Sequence, residues 1–423
     1  MCMVFEDSIM SHGTPFFSIV IPTRNRPELL KYALQSLLLQ TFTDFEVIVC
    51  DNHTGKPCRS VFDQYSDQRF KYVTPLTPLQ MHDNWQFACN FAQGEYITVL
   101  MDKSILRPSA LQIIYDNLVI KPAEIISWSN ETFIPSNEDM GYEDGIYVPT
   151  HIKSAGPRYY DPKVELKRRI SCGSSAKSDA EGSCYYWGKI CFGAYQHNLV
   201  QRINDALGKM IYPLCSDYTS MIAALAFAES AIDAGEPLSI TFASKLSNGY
   251  NGSVHPDYAL RVLHEIDPSD QILQEFPIKG LYTSVHNIVA YDYASMKVKI
   301  GKPMQNMEID MKNLVLLAKD DLDNVIWRDL SVKHSQMKIW ETAYRELSLH
   351  QRMSVLFTNI FAHSIISEPS KKFKNLVISL LNIFPKTKTR LKSKFCKRDD
   401  VFCKTIFDAA TLADDFYSKR NDT

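Results

Sequence analysis

Apolar and polar positions alternate between two patterns along the first hundred residues. "FFSIVI" (Phe16 to Ile21) is an unbroken run of β-forming residues closed by Pro22, which reads as a strand buried on both faces. From Pro27, "PELLKYALQSLLLQ" sets leucines at 30, 34, 37 and 38, a helical repeat with proline in its first turn. "FEVIVC" (Phe45 to Cys50) is a second buried strand, followed by a short helix near 61–65. "RFKYV" is a third strand, "MHDNWQFACNFA" a helix and "EYITVL" a fourth strand. Strands separated by helices predict parallel βαβ units with right-handed crossovers.

The middle third is less regular. "AEIISW" (Ala123 to Trp128) predicts another strand, and residues 130–182, rich in Pro, Gly, Ser and Tyr, read as loops and hairpins around a short basic helix, "KVELKRRIS". "SCYYWGKICFGAY" is an aromatic segment expected to pack on the sheet. "SDYTSMIAALAFAE" predicts a helix that Ser216 would cap, and "PLSITFAS" (Pro237 to Ser244) the strand after it. From Pro256 onward helical periodicity takes over. The expected organisation is an N-terminal extension over 1–15, an α/β domain over 16–255 and a mainly helical region over 256–423.

Open α/β sheets bind ligands outside the carboxyl ends of their strands. That rule brings Thr23, Arg24, Asn25 and Arg26, Asp51 and Asn52, and Asp102, Lys103 and Ser104 to one edge. Between the fourth strand and the helix near Pro108, residues 101–107 read as a short polar loop.

Composition narrows the function class without deciding it. The chain has 423 residues, 45% apolar and 22% charged, which is ordinary for a globular protein with a sizeable core. A net charge of -2 gives no general attraction for nucleic acid. The ten cysteines form no CxxC pair, which argues against a zinc site and for reduced thiols in a cytosol. The first residues, "MCMVFEDSIMSHGTP", carry acids and no long apolar run, unlike a secretory signal. "LVISLLNIF" is far shorter than the roughly 20 residues that span a bilayer. The expected location is cytoplasmic. The basic and apolar residues of 371–395, "KKFKNLVISLLNIFPKTKTRLKSKF", suggest peripheral contact with anionic lipid at the inner face of a membrane.

Several of these segments, in this order, resemble family-2 glycosyltransferases of the GT-A fold. They are "FSIVIPTRNRPELLKYALQSLLLQTFTDFEVIVCDN", "DNWQFACNFAQGEYITVLMD", "SDYTSMIAALA" and "PLSITFAS", and the resemblance covers residues 16 to 255. It implies a Rossmann-like, mostly parallel sheet flanked by helices, with a mainly helical C-terminal region outside it. It also implies transfer of a sugar, with inversion, from a nucleotide-diphosphate donor to an acceptor hydroxyl, in surface polysaccharide or glycan biosynthesis. The implied acceptor is a glycan or lipid-linked glycan. The alternative is an inactive GT-A scaffold that binds a nucleotide sugar or a partner protein.

The family's roles map onto particular residues here. Asp51 matches the aspartate that hydrogen-bonds the nucleotide base, and Pro22 and Thr23 match nucleoside contacts. Arg24 and Arg26 are phosphate candidates, because a guanidinium grips phosphate with a fork of donors. Asn84 is expected to cap or buttress the nucleotide pocket. Asp217 matches the catalytic base, although the acid that precedes it in the family is Ser216 here. Asp102 matches the first acid of the metal-binding motif, and Lys103 stands where the metal-binding aspartate belongs. Three readings stand side by side. Asp102 still gathers Mg or Mn with donor phosphates and His255 as helpers; or Lys103 replaces the metal's charge; or Lys103 faces solvent and the protein is inactive.

Overall fold

The computed structural model describes residues 13–135, 144–150, 156–172, 184–243, 248–364 and 401–418. The basic stretch 371–395 and most of the N-terminal extension lie outside them. The chain forms two compact units, one of residues 1–166, 186–244 and 398–423, the other of 167–185 and 245–397.

The first unit opens with β1 (Phe17–Thr23), α1 (Pro27–Leu38), β2 (Phe45–Asp51), α2 (Arg59–Phe62), β3 (Phe70–Val73), α3 (Met81–Cys89) and β4 (Tyr96–Val99). β3, β2, β1 and β4 lie side by side in that order, all parallel. This is the arrangement the strand–helix alternation predicts. Every residue of β1 and β2 is buried, which is why both read as unbroken apolar runs. Leu30, Ala33, Leu34 and Leu37 of α1 pack on Ile19, Ile21, Val47 and Val49 in one core. The tight turn before β4 needs Gly94, since a Cβ there would lie 2.6 Å from the Ser18 backbone nitrogen.

The chain continues through β5 (Ser104–Leu106), α4 (Ala110–Ile120), β6 (Ile125–Ile134), β7 (Gly145–Val148), β8 (Arg158–Tyr160), α5 (Pro162–Ile170), β9 (Gly193–Gln196), α6 (His197–Leu207), α7 (Ser216–Phe227) and β10 (Ala231–Phe242). β9 comes from the aromatic segment and sits antiparallel between β4 and β6. β10 runs parallel to β6 and antiparallel to β5 and β8. The expected polar loop 101–107 therefore contains a strand. Ser104, Ile105 and Leu106 are all buried against β10, a pairing that depends on residues 239–241 and leaves no local trace. Ser216 is the first helical residue of α7 and not its cap, which is Cys215.

The last described segment returns to this unit. Strand Val401–Cys403 pairs with β7, and the helix Ile406–Ser418 buries Ile406, Ala409, Ala410, Ala413 and Tyr417 against Phe133, Tyr147, Ile240 and Phe242. A buried charge network fastens it. Arg107, only 1% exposed, donates to Asp414 at 2.6 Å, to Glu236 at 3.1 Å and to the Pro237 carbonyl. Tyr417 and Tyr147 both donate to the Glu131 carboxylate.

The second unit is helical over 248–364, beginning eight residues before Pro256, the point from which periodicity predicts helices. Its helices are α8 (Asn248–Val254), α9 (Pro256–Ile266), α10 (Gln271–Glu275), α11 (Val285–Ile300), α12 (Met311–Asn324), α13 (Leu330–Glu346) and α14 (Leu349–Ser364). Ser284, Asp310 and Asp329 cap α11, α12 and α13 by accepting backbone N–H bonds. Leu281, Ala290, Leu314, Val315, Ala318 and Trp340 form its core. Among the described residues no helix is long and apolar enough to cross a membrane.

Candidate active site

The candidate site is built on the carboxyl ends of β1, β2 and β4. The β1–β2 register runs to Thr23↔Asp51, whereas the β1–β4 register stops at Val20↔Val99. Pro22 gives a reason for the difference. It has no N–H to continue a ladder, so β1 and β4 part there and the chain after Leu100 can turn. The parting leaves room between strands for Asp102 to approach Thr23.

Asp51 is fully buried. Its Oδ2 accepts from the Cys58 backbone N–H at 2.7 Å and from the Tyr72 hydroxyl at 2.5 Å. Its Oδ1 is buried with no hydrogen-bond partner. Burial and then the bond to Asp51 push the Tyr72 hydroxyl upward, so it remains a donor. Burial, followed by the Asp51 charge, pushes the Cys58 thiol up to about 11. A buried carboxylate oxygen with no donor is a costly arrangement unless a ligand supplies one. Asn52 holds the adjoining segment by bonding both the carbonyl and the N–H of Leu79. Asn84, on α3, is buried and accepts from the Cys50 thiol of β2, which makes it a buttress of that strand.

Asp102 is also buried, but both its oxygens are occupied. Thr23 Oγ1 donates to Oδ2 at 3.0 Å and Arg26 Nη1 to Oδ1 at 3.4 Å. Burial raises its carboxyl, and Arg26, Thr23 and Lys103 oppose that shift without cancelling it. Lys103 is half-buried. Burial lowers its ammonium, Arg26 adds to the lowering, and Asp102, Cys191 and Asp217 act against it. Asp102 and Asp217 thus both act on the Lys103 ammonium. Its backbone carbonyl is held by the Phe242 N–H, across to β10.

Asp217 lies in the first turn of α7 and is 28% exposed at its side chain. Lys189, 2% exposed, donates to Asp217 Oδ2 at 3.2 Å and stands 3.8 Å over the Tyr218 ring. Oδ1 of Asp217 accepts from no described residue. Lys189 escaped the sequence reading, yet a signal was there. A single lysine inside "YYWGKICFGAY" needs a counter-charge if that segment is buried. Arg24 is exposed. Asn25 adopts a left-handed backbone (φ 58°) and bonds Thr54 and Lys56, shaping the loop beside Arg26. His255 belongs to the second unit, where it precedes the first turn of α9.

The donor set of this edge does not suit a divalent cation. Within the unit, a cation at Asp102 would meet one carboxylate with both oxygens engaged, beside a guanidinium and an ammonium. Among the described residues no group of three His, Cys, Asp or Glu could hold a metal. Replacing a carboxylate by a lysine moves the local charge by two units, and at an effective dielectric near 20 each unit about 4 Å away matters by about 4 kcal/mol.

Residues 18–167 match the family model of glycosyl transferase family 2. A GalNAc(5)-diNAcBac-PP-undecaprenol beta-1,3-glucosyltransferase of Campylobacter jejuni is 35% identical over 100 residues, 23% of this chain and 32% of that one. The O-antigen biosynthesis protein RfbC of Myxococcus xanthus is 35% identical over 104 residues, 23% of this chain and 8% of that one. The chain therefore matches less than a third of either relative's length. Among solved structures, S. aureus TarS 1-349 in complex with UDP-GlcNAc is similar at a TM-score of 0.44 and 14% identity, covering 78% of this chain and 89% of that one.

Proposed function

We propose that this chain, with family 2 residues at 18–167, transfers a sugar from a nucleoside-diphosphate donor to an acceptor hydroxyl with inversion. The acceptor is a glycan, free or lipid-linked, in the assembly of a surface polysaccharide. The name of the Campylobacter jejuni relative, with its undecaprenol-diphosphate carrier, supports the lipid-linked form. The observation that carries the reading is Asp51 Oδ1, a buried acceptor without a donor at the carboxyl edge of the sheet. An imide or amino N–H of a nucleobase is the donor it lacks. Because Asp51 is fully buried, a base that reaches it must displace what covers it.

The chemistry follows from a third aspartate, in the first turn of α7. Asp217 Oδ1 takes the proton of the acceptor hydroxyl while that oxygen bonds to the anomeric carbon. The bond from the anomeric carbon to the diphosphate oxygen breaks, and its electron pair leaves with the nucleoside diphosphate. Lys189 holds Oδ2 and so fixes the direction of Oδ1. The test is release of nucleoside diphosphate from a panel of UDP-, GDP-, CDP- and dTDP-sugars, with lipid-linked and free glycan acceptors. Release from one donor, dependent on acceptor, is the expected result. Tight binding of a nucleoside diphosphate without any release would favour the inactive scaffold instead.

A further inference from the structure

We infer that Arg26 and Lys103 neutralise the donor diphosphate in this protein, in the place of a divalent cation at Asp102. The inference rests on the donor class proposed above and adds how its charge is met. Asp102 is the carboxylate best placed on this edge for a cation, but a hydroxyl and a guanidinium already occupy its two oxygens. Counting Arg26, Lys103 and Asp102 together, the balance is one net positive charge before any ligand arrives, and Asp217, whose charge also acts on Lys103, is paired with Lys189. A diphosphate, which brings at least two negative charges, finds compensation in such a cluster, whereas a dication finds repulsion.

Placement supports the same conclusion. Arg26 sits directly before α1, on the loop that leaves β1 at Thr23. Lys103 follows Asp102 on the chain that leaves β4. Arg26 reaches Asp102 at 3.4 Å from the loop after β1, and Lys103 is the next residue after Asp102 on the chain that leaves β4. Each is partly buried, Arg26 at 24% side-chain exposure, so neither is a fully solvated surface charge of the kind that contributes little. Asp102 then acts as the anchor that holds Arg26 toward the edge, and not as a metal ligand. When the bond to the anomeric carbon breaks, the added negative charge on the diphosphate forms beside groups already in place.

The experiment is calorimetric titration of the full chain with UDP, GDP, CDP and dTDP, each with EDTA and with Mn or Mg, alongside the matching nucleosides. For whichever diphosphate binds, the affinity should stay within about threefold on chelation. Lys103→Ala should weaken that diphosphate at least tenfold and leave the nucleoside unchanged. Lys103→Asp should lose the diphosphate in EDTA and regain it with Mn. Arg26→Lys, which keeps the charge beside buried Asp102, serves as a second variant and should weaken the diphosphate less than Lys103→Ala does. Wild-type binding that collapses more than tenfold in EDTA and returns with Mn would overturn the inference and leave the proposed function standing. So would Lys103→Ala binding the diphosphate as wild type does. Failure of every diphosphate to bind, with or without metal, would overturn the proposed function and this inference with it.

Discussion

Asp51 ends and Asp102 follows the strands that flank β1, and both are buried, yet their surroundings are opposite. Asp51 has neutral donors, an amide and a phenol, on one oxygen and none on the other. Asp102 has a hydroxyl and a guanidinium on its two oxygens and a lysine next to it in the chain. The same residue at neighbouring strand ends keeps an open acceptor in one place and is an internal counter-ion in the other. What separates them is the supply of donors, and those come from Cys58 just before α2, from β3, from the end of β1 and from the loop before α1 rather than from β2 and β4.

The comparison sharpens first through a carboxylate that belongs to neither corner. Asp217→Asn should slow transfer by about 10²–10⁴-fold, the range that a general base contributes, and leave binding of the nucleoside diphosphate within a few fold. Steady-state transfer and titration on the same preparation check this. Transfer near the wild-type rate would mean that Asp217 is not the base.

A smaller effect separates the two corners directly. Asp51→Ala should weaken nucleoside and nucleoside diphosphate alike, by about 1.5–3 kcal/mol, because a hydrogen bond to a charged acceptor is lost whatever the phosphate content. Lys103→Ala, by contrast, should spare the nucleoside. If Asp51→Ala folds and binds the nucleoside as tightly as before, the spare oxygen is not a recognition group and the contrast with Asp102 disappears.

The smallest expected effect is on stability. Thr23→Val removes the donor to Asp102 Oδ2 and leaves that buried oxygen unpaired, at a cost of about 1–3 kcal/mol. Urea unfolding should show a lower midpoint with an unchanged slope. An unchanged midpoint would mean that Arg26 and Lys103 alone satisfy Asp102.

Much of this was legible in the chain. β1, β2 and β4 could be read because parallel strands covered on both faces must be continuously apolar, and α1 because its buried leucines recur at helical spacing. The positions of Asp51 and Asp102 follow at once, since the first polar residues after such runs fall at the strands' carboxyl ends. These signals are local: each is complete within about ten residues. β5 and β9 were not legible, because three or four residues become strand only when a distant partner pairs with them.

The same holds for the ion pairs that give the site its character. Arg26 with Asp102 and Lys189 with Asp217 are joined across 76 and 28 residues. Arg107 with Asp414 spans 307 residues and brings the helix 406–418 back to the α/β unit, against the helical pattern that groups it with residues 256–364. Hydrophobic periodicity records which face of an element is buried, and so the sequence alone determined the strands, the helices and the edge at which chemistry would gather. It carries no record of which buried charge meets which, because that choice is made by the closed fold, where an unpaired charge is expensive and only the side chains brought within reach can satisfy it.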